Sequence, residues 1–576
     1  MALSLVPSIA QAQDFSAVNE DGVTIYYNIL SEEEKTCEVT FTPMEVDDIY
    51  TGDIVIPSTA NGYTVTTIGK WTFDSQEVKS VNIGDGVETI EEDAFIGCTG
   101  LETLIIGKSL KKYSHSEFKD CKKLSNLEIN TPTAMNWSYN RTIKTVILGD
   151  NVKRIGDGAY QACESLTTII IPNSVTTIGG YAFQYTPLSS IEIPNSVTSI
   201  GYYAFEGCGL TSIDIPATVE KIGEYAFLGC NGLKSVKIGD SNYTNGCSTS
   251  IDKGVFCECY GIESIFLGNS VTSIGTSAFE SCTSLTSVSI PNSVTKIGDG
   301  AFEGCTSLTS ISIPTSVTSI GEYPFANCSS LESITVENGN EYYNSAENCN
   351  AIIETNSGTL IAGCKNTVIP NSIKAIGAKV FFNCTGLTSA TIPSSVTSIG
   401  QSAFSNCKDL KTVFSEITDF FDINKNVFKG SENTTLYVPK GMATTYRSST
   451  GWSVIKYIEE MPDDTPDASF LISCSGKGSV SINGAPSITN KIAAADINEG
   501  TDNTFTFTPK PNCRLDQVIL NGLDITANVE GNTLTCTIPA NSQMIVTFAT
   551  EQGDMNNDGT LDISDVVAIV NKILGN

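Results

Sequence analysis

Apolar and small polar residues alternate along most of the chain within one repeated phrase. The phrase is I-P-x-S-V-T-x-I-G-x-x-A-F-x-x-C-x-x-L-x-x-I-x, and its most regular copies span 23 residues, as from Pro291 to Pro314 and from Pro370 to Pro393. A repeat of about 20 to 29 residues with this spacing of apolar positions is typical of a solenoid, in which each repeat forms one coil. The pattern therefore predicts a stack of similar coils.

The end of each repeat alternates apolar with polar residues, which predicts a short β-strand. In one copy Ile311 and Ile313 are expected to point into the core, and Ser312 is expected to point to solvent. Phe325, in the next coil, would return to the same core. Because no coil can bury these residues alone, we expect stability to come from contacts between neighbouring coils.

Glycine follows the second isoleucine of the repeat, and serine occupies the corner after the proline. We predict that the glycines form a tight turn with backbone angles that other residues rarely adopt. The serines are expected to satisfy backbone groups at the bend. The glycines are Gly156, Gly179, Gly201, Gly223, Gly275, Gly298, Gly321, Gly377 and Gly400, and the serines are Ser174, Ser196, Ser270, Ser293, Ser316, Ser372 and Ser395.

Eleven of the 19 cysteines stand three residues after the aromatic residue of the repeat. Stacked coils place equivalent residues about 4.8 Å apart with parallel side chains, whereas a disulfide needs Cβ atoms about 3.8 Å apart that face each other. We therefore predict a row of buried thiols that act as small apolar residues. The row comprises Cys98, Cys121, Cys163, Cys208, Cys230, Cys259, Cys282, Cys305, Cys328, Cys384 and Cys407.

Two further cysteines flank an apolar stretch that is typical of a β-hairpin. A turn at Asn356 and Ser357 would place Cys349 directly opposite Cys364. This register makes a disulfide between the two cysteines a candidate in an exported protein.

The charge of the chain excludes some classes of partner. Against 33 Lys and Arg residues stand 64 Asp and Glu residues, a formal net charge of -31. Such a surface repels nucleic acid and anionic membranes. The single histidine, His115, excludes a His-rich metal site and is expected to be an exposed turn residue.

The N-terminus indicates export. Residues 1–12 contain a short apolar stretch followed by Ala10-Gln11-Ala12, a pattern typical of a signal peptide, although its positive N-terminal region is missing. No later segment approaches the roughly 20 apolar residues of a membrane span. We expect a secreted or cell-surface protein, with a β cap at residues 13–51 ahead of the coils.

The repeated phrase resembles the BspA-type leucine-rich repeats of bacterial surface proteins over residues 52–440. The match is weaker at Tyr113, where isoleucine is expected, at Thr186, where cysteine is expected, and in longer repeats near residues 240–258 and 337–366. The resemblance implies a leucine-rich repeat solenoid that binds a macromolecule. Residues 441–466 are similar to the closing segment of such proteins, and we expect them to form a C-terminal cap and linker.

In residues 467–549 the repeat is replaced by short stretches of alternating polar and apolar residues, separated by glycine, asparagine and proline. This alternation predicts a small antiparallel β-sandwich. The stretch resembles the immunoglobulin-like modules of bacterial surface proteins, which implies a spacer.

The C-terminal segment, residues 553–576, concentrates oxygen ligands. Six positions of one loop have the spacing of an EF-hand-type Ca²⁺ site, with Gly559 at the sharp turn and an amphipathic helix following. The expected ligands are Asp554, Asn556, Asp558, the Thr560 carbonyl group, Asp562 and Asp565. Loop and helix resemble one dockerin repeat, whereas dockerins carry two. We expect an intermolecular partner for the helix, and the alternative is an acidic solvated tail.

Three functions are compatible with the sequence. The first is a non-catalytic, adhesin-like binding protein whose solenoid recognises a protein or glycan of host or neighbouring cells. The second is a non-catalytic component of a cell-surface or polysaccharide-handling assembly, recruited through the dockerin-like segment. The third, an enzyme, is disfavoured because the chain has no G-x-S-x-G, H-E-x-x-H or P-loop motif.

We assign ligand binding to the outward positions of the repeat strands. These positions hold the small polar residues serine and threonine in the most regular copies, but they carry apolar or charged residues in the earlier copies. Exposed apolar residues lower solubility unless they meet a partner. The predicted ligand-binding residues are Glu192, Asp214, Lys237 and Phe266. The competing interpretation is that drift of the repeat alone produced this variety.

Overall fold

The computed structural model describes residues 13–42, 50–74, 77–113, 118, 120–240, 248–346, 349–461, 470–476, 478–482, 492–494, 502–509, 513–520, 523–524, 526–537 and 542–550. The chain divides into two compact units, Met1–Phe325 and Ala326–Asn576. The expected signal peptide, His115 and the expected Ca²⁺ segment lie outside the described residues.

Short strands account for the regular structure of the first unit. Its strands, numbered in chain order, are β1 Phe15–Val18, β2 Thr24–Ser31, β3 Thr36–Val39, β4 Thr51–Ile56, β5 Thr59–Ala60, β6 Tyr63–Ile68, β7 Glu77–Ile83, β8 Thr89–Ile90, β9 Thr103–Ile106, β10 Asn126–Ile129, β11 Thr133–Ala134, β12 Thr145–Leu148, β13 Arg154–Ile155, β14 Thr168–Ile170, β15 Thr177–Ile178, β16 Ser199–Ile200, β17 Ser212–Ile215, β18 Lys221–Ile222, β19 Ser235–Ile238, β20 Thr249–Ile251, β21 Ser264–Leu267, β22 Val271–Ile274, β23 Lys296–Ile297, β24 Ser310–Ile313 and β25 Ser319–Ile320.

Parallel pairing between successive coils builds two faces of this unit. The first face, hereafter the strand face, has the strand orders β4-β7-β9-β10-β12-β14 and β17-β19-β21. The second face has the order β11-β13-β15-β16-β18-β20-β22-β23-β25. Most coils therefore contribute one strand to each face, and the predicted solenoid is confirmed.

The strand face is interrupted between β14 and β17. Residues 189–193, all of which the structure describes, form no strand. The repeats on either side are one residue shorter than the regular 23, because Pro172, Pro194 and Pro216 are spaced by 22 residues.

The N-terminal strands begin the stack in an antiparallel arrangement. β1 pairs with β2, and β2 pairs with β3, before β3 joins β6 in parallel. The buried Tyr50 hydroxyl donates a hydrogen bond to the Thr40 carbonyl oxygen at 2.9 Å and accepts one from the Tyr26 amide at 3.0 Å.

Stacked phenylalanine rings run through the core. Their centroids are 4.9 to 5.5 Å apart from Phe183 to Phe325, with nearly parallel planes. This spacing agrees with the value of about 4.8 Å expected for adjacent strands. The rings are Phe183, Phe205, Phe227, Phe256, Phe279, Phe302 and Phe325, one from each coil.

The repeat glycines were predicted to have unusual backbone angles, and this prediction is wrong. None of them has a positive φ; the left-handed position lies two residues later, as at Ser277, with a φ of 54°. The glycines are required because the coils approach closely. A Cβ on Gly223 would lie 2.7 Å from the Tyr202 amide nitrogen, a distance too short for any side chain.

The predicted row of buried thiols is confirmed, and its members also make a bond that the sequence did not suggest. The Cys305 thiol donates a hydrogen bond to the Phe279 carbonyl oxygen at 3.2 Å, and Cys282 does the same to Phe256 at 3.3 Å. Among the residues that the structure describes, nine of the eleven thiols make this bond, and each of the nine links its coil to the backbone of the preceding one.

The corner serines act between coils instead of within one bend. The Ser174 hydroxyl donates to the Val152 carbonyl oxygen, and Ser196 donates to Val175, each at 2.7 Å. In the described part of the chain the buried Ser293 hydroxyl has no hydrogen-bond partner, so the serine contributes this bond in some coils only.

The second unit continues with further strands and one short α-helix. Its elements are β26 Ser333–Val336, β27 Tyr343–Asn344, β28 Ala351–Glu354, β29 Thr359–Gly363, β30 Ala375–Ile376, β31 Ser389–Ile392, β32 Ser398–Ile399, β33 Thr412–Ser415, β34 Thr435–Val438, α1 Ala443–Ser448, a 3₁₀ turn at Trp452–Val454, β35 Tyr457–Glu460, β36 Phe470–Gly476, β37 Gly478–Ile482, β38 Ile492–Ala494, β39 Asp502–Pro509, β40 Cys513–Leu520, β41 Leu523–Asp524, a 3₁₀ turn at Thr526–Asn528, β42 Thr533–Thr537 and β43 Ser542–Thr550.

The hairpin formed by β28 and β29 is present, but its register differs from the predicted one. Glu354 pairs with Thr359 as expected, and a shift beyond Ile353 then moves the pairing by one residue. Cys349 and Cys364 are consequently not opposite each other, and both are buried thiols. The Cys364 thiol instead donates to the Glu332 carbonyl oxygen at 3.4 Å. The candidate disulfide is therefore absent.

The second unit has its own stacked rings, Phe381, Phe404 and Phe428, and large aromatic side chains lie over the Phe428 end. Trp452, which follows α1, is fully buried, 5.9 Å from Phe428 and 5.0 Å from Tyr446 between ring centroids. Its indole N–H donates to the Phe421 carbonyl oxygen at 2.9 Å. These contacts bury the apolar surface of the last coils.

The C-terminal strands form two sheets, with the orders β38-β36-β43-β40-β41 and β37-β39-β42. One pair departs from the expected antiparallel arrangement, because β36 pairs with β43 in parallel. The other pairs described in these two sheets are antiparallel. Side chains of both sheets are buried, among them Val480 and Phe505 in one and Val518 and Val546 in the other.

Candidate functional site: the strand face of the first unit

The strand face presents the central outward residue of each strand in register. Asn82 pairs with Ile105, and Ile105 pairs with Glu128. Glu128 pairs with Ile147, which in turn pairs with Ile170. The outward row that the repeat predicted is therefore continuous across these strands.

Two isoleucines of this row are exposed side by side. Ile147 on β12 and Ile170 on β14 are 40% and 54% exposed. Their neighbours Val146 and Ile169 point into the core, so the two isoleucines cannot turn inward without reversing the alternation of the strand. They form an exposed aliphatic patch on this sheet.

Three of the predicted ligand-binding residues lie in one row on adjacent strands. Asp214 on β17 pairs with Lys237 on β19, and Lys237 pairs with Phe266 on β21. The Lys237 ammonium group lies 2.8 Å from an Asp214 carboxylate oxygen, and this hydrogen bond raises the pKa of Lys237. The two charges largely neutralise each other, and such an exposed pair contributes only up to about 1 kcal/mol to stability.

Phe266 and Glu192 differ in how the structure holds them. Phe266 is 43% exposed although it is a large aromatic residue. Glu192 is exposed but lies in the interruption of the strand face, where no strand holds it in register. The structure thus brings Asp214, Lys237 and Phe266 together and leaves Glu192 outside their row.

Sequence reasoning missed a cluster of tyrosines on the turns that follow the second face. The cluster, hereafter the tyrosine patch, comprises Tyr181, Tyr185, Tyr202, Tyr203 and Tyr225. Its signal was in the sequence: IGGYAFQY, IGYYAFEG and IGEYAFLG place tyrosine where several other repeats have glycine or serine.

The described residues offer no other obvious site. Among them no group of three or more histidine, cysteine, aspartate or glutamate residues could hold a metal ion. None of the helices in the described part of the chain is long and apolar enough to cross a membrane. The expected Ca²⁺ ligands, Asp554 to Asp565, lie outside the described residues.

Solved structures similar to this chain are leucine-rich repeat proteins. One from Bacteroides ovatus shares 24% identity, with 69% of this chain and 97% of that chain covered and a TM-score of 0.37. A leucine-rich cell surface protein from Faecalibacterium prausnitzii shares 26% identity, with 57% and 96% covered and a TM-score of 0.26. One from Eubacterium ventriosum shares 22% identity, with 74% and 96% covered and a TM-score of 0.36. No curated protein matches the chain.

The family comparison agrees with the coils of both units. The model of the BspA type leucine-rich repeat region matches residues 52–166, 134–247, 249–357 and 359–459, well over half of the chain. The chain therefore belongs to the family of BspA-type leucine-rich repeat proteins.

Proposed function

We propose that this protein is an exported or cell-surface, non-catalytic binding protein that recognises a macromolecule through the strand face of its first unit. The ligand is a protein or glycan of a host or neighbouring cell. Membership of a repeat family whose fold is typical of binding proteins supports the proposal. Glu192, Asp214, Lys237 and Phe266 are proposed contacts, together with the aliphatic patch.

The exposed pair Ile147 and Ile170 is the observation that carries this proposal. The exposed part of an aliphatic side chain on a sheet contributes little to folding while it is in water, and it gains free energy when a partner covers it. Phe266 adds an exposed aromatic ring, a residue type that is common among the dominant contacts of interfaces.

An array of purified extracellular-matrix proteins and glycans, probed with the full chain, tests the proposal. We expect a retained ligand whose affinity falls at least tenfold in the double variant Ile147→Ser and Ile170→Ser. The matched control is Leu30→Ser, which removes an exposed aliphatic residue of the N-terminal strands. Equal affinity of the double variant and the control would contradict the proposal.

A second proposal concerns recruitment. The spacing of Asp554, Asn556, Asp558, Thr560, Asp562 and Asp565 supports a Ca²⁺ site, and the resemblance to one dockerin repeat supports docking to another protein. On this proposal the chain is a non-catalytic component of a cell-surface or polysaccharide-handling assembly. The immunoglobulin-like module would then serve as a spacer before the docking segment.

A further inference from the structure

The tyrosine patch covers three consecutive coils of the first unit. Tyr181, Tyr203 and Tyr225 stack on one another, with ring centroids 5.4 and 5.2 Å apart. Tyr202 packs edge-on against Tyr181 at 4.9 Å. The patch lies on the turns after the second face, so it is separate from the strand face.

The backbone of these turns does not favour tyrosine. Tyr181, Tyr203 and Tyr225 have φ angles of 56°, 52° and 56°, a left-handed conformation that is unfavourable for bulky residues. The flanking coils place glycine at the same position, at Gly158 and Gly254. Other coils place serine or lysine at this position with the same backbone angle, at Ser277 and Lys379. The fold therefore accepts a side chain here, and three consecutive coils use the position for tyrosine.

Glycines in the neighbouring coils allow the outer rings to lie close against the backbone. A Cβ on Gly180 would lie 2.7 Å from the Tyr202 ring, and one on Gly207 would lie 2.5 Å from the Tyr185 ring. Both rings nevertheless remain open to solvent, with Tyr202 47% and Tyr185 54% exposed. The inner side of each ring is thus held against the protein, and the exposed surface is available to a ligand.

The surroundings of the rings are acidic. The Tyr185 hydroxyl donates to Glu206 at 2.6 Å, and the Gln184 amide donates to the other Glu206 oxygen. The exposed Glu224 occupies the position of Tyr202 in the next coil. Glu206 and Glu224 are thus acidic residues on the turns that carry the patch.

One cation already lies against the patch. The Lys253 ammonium group is 5.7 Å from the centroid of the Tyr225 ring, within the distance at which the negative face of an aromatic ring attracts a cation. Hydrogen bonding to Tyr225 also raises the pKa of Lys253, so a cation is stabilised at the Tyr225 end of the tyrosine patch.

We propose that the tyrosine patch binds a basic segment of a partner protein, with lysine or arginine side chains on the Tyr185 and Tyr202 rings and beside the Glu206 and Glu224 carboxylates. Ring faces attract the cation, and the carboxylates supply charge complementarity. The strand face takes no part in this site, so the patch would be a second binding surface of the solenoid.

Calorimetric titration of the full chain with a hexa-arginine peptide at 0.15 M salt, on the order of physiological ionic strength, tests the proposal. The double variant Tyr185→Leu and Tyr202→Leu removes both rings without changing any charge, so general attraction to the acidic chain persists. We expect the dissociation constant to rise by about fivefold to thirtyfold, from two ring contacts of ordinary strength. The matched control Tyr260→Leu removes a ring that is 45% exposed outside the patch, and it should change the constant by less than about twofold.

Two further measurements keep the result interpretable if the leucine variant folds poorly. Tyr202→Phe keeps the ring and should bind the peptide as the unmodified chain does. In the unmodified chain, the peptide should protect Tyr185 and Tyr202 from nitration more than Tyr260.

Three outcomes would overturn the proposal. The first is equal affinity of the patch variant and the Tyr260→Leu control for the peptide. That result would mean that the net charge of the chain alone explains the binding. The second is equal nitration of all three tyrosines with and without peptide. The third is binding of a neutral oligosaccharide, such as cellohexaose, that the patch variant abolishes while peptide binding is unchanged; the patch would then be a glycan site.

Discussion

Gly275 lies so close to Asp252 of the preceding coil that a Cβ atom on Gly275 would stand 2.6 Å from the Asp252 carbonyl carbon. Real Cβ atoms essentially never approach other atoms to within 3.0 Å. The Gly275 amide meanwhile donates to the Ile251 carbonyl oxygen at 2.9 Å. The glycine therefore sets how closely two coils can pack, and any side chain would separate them.

Gly275→Ala should destabilise the solenoid strongly. Because backbone atoms cannot move aside as a flexible side chain can, we expect a loss of about 1 to 3 kcal/mol in the free energy of unfolding. Denaturant titration followed by circular dichroism measures it. Gly156→Ala is the matched control at the same repeat position, since its Cβ would lie 3.6 Å from the nearest atom. Similar losses in both variants would contradict the close-approach explanation.

The thiol row should be inert in the folded protein. Burial raises the pKa of Cys121, Cys163 and Cys407 to about 12 from an ordinary value of 9.0, and the thiolate is the reactive form. We expect iodoacetamide at pH 8 to leave these three cysteines unmodified in the native chain and to alkylate them in denaturant. Mass spectrometry of peptides reads the result. Native alkylation of any of the three would show that its coil opens readily.

The same pKa shift makes stability depend on alkaline pH. The unfolded chain releases the Cys163 proton from about pH 9, whereas the folded chain retains it until about pH 12. The stabilisation is therefore fully present below pH 9 and is lost as the pH rises towards 12, with a slope of about 1.4 kcal/mol per pH unit for one thiol. Cys163→Ala should make the unfolding free energy fall less steeply over this interval. Parallel curves for the two proteins would contradict the shift.

The sequence was sufficient for the architecture because the 23-residue period fixes which residues share a coil position. The alternation around Ile311 fixes which side chains point inward, and the same counting placed Lys237 beside Phe266. Contacts between coils could not be read in this way. The reason for Gly275 depends on how close Asp252 comes, which the identities of the two residues do not state.

Local irregularities were also beyond the sequence pattern. The one-residue shift in register next to Ile353 prevents Cys349 and Cys364 from lying opposite each other. No residue type in that hairpin predicts the shift. The interruption at Glu192 follows from shortened repeats that were visible but were not expected to remove a strand. The tyrosine patch was missed because each tyrosine, taken singly, reads as a variable turn residue.

The C-terminal segment should bind Ca²⁺. Four aspartates within residues 554–565 repel one another without a cation. Calorimetric titration of the full chain with CaCl₂ should show one binding event that Asp554→Ala with Asp558→Ala abolishes. Asp524→Ala, an acidic residue of the preceding module, is the control and should leave the event intact. If the unmodified chain released or absorbed no heat on addition of calcium, the prediction of a Ca²⁺ site would be wrong.

Alanine substitution across the predicted row should weaken ligand binding unevenly. Phe266→Ala should account for most of the loss, about tenfold to a hundredfold, because a buried aromatic ring contributes about 1.5 to 3 kcal/mol. Asp214→Ala with Lys237→Ala should add less, since these two charges already satisfy each other. Surface plasmon resonance against the ligand retained on the array measures both. A larger loss from the charge pair than from Phe266 would mean that the ligand displaces the ion pair.

Hydroxyl-radical footprinting of the full chain, with and without that ligand, tests most directly whether the strand face is the recognition surface. Side-chain oxidation is read by mass spectrometry at Ile147, Ile170 and Phe266, with Leu30 as the reference outside the face. Our account predicts that the ligand lowers oxidation at the first three and leaves Leu30 unchanged. Unchanged oxidation at all three, with protection elsewhere on the chain, would contradict it.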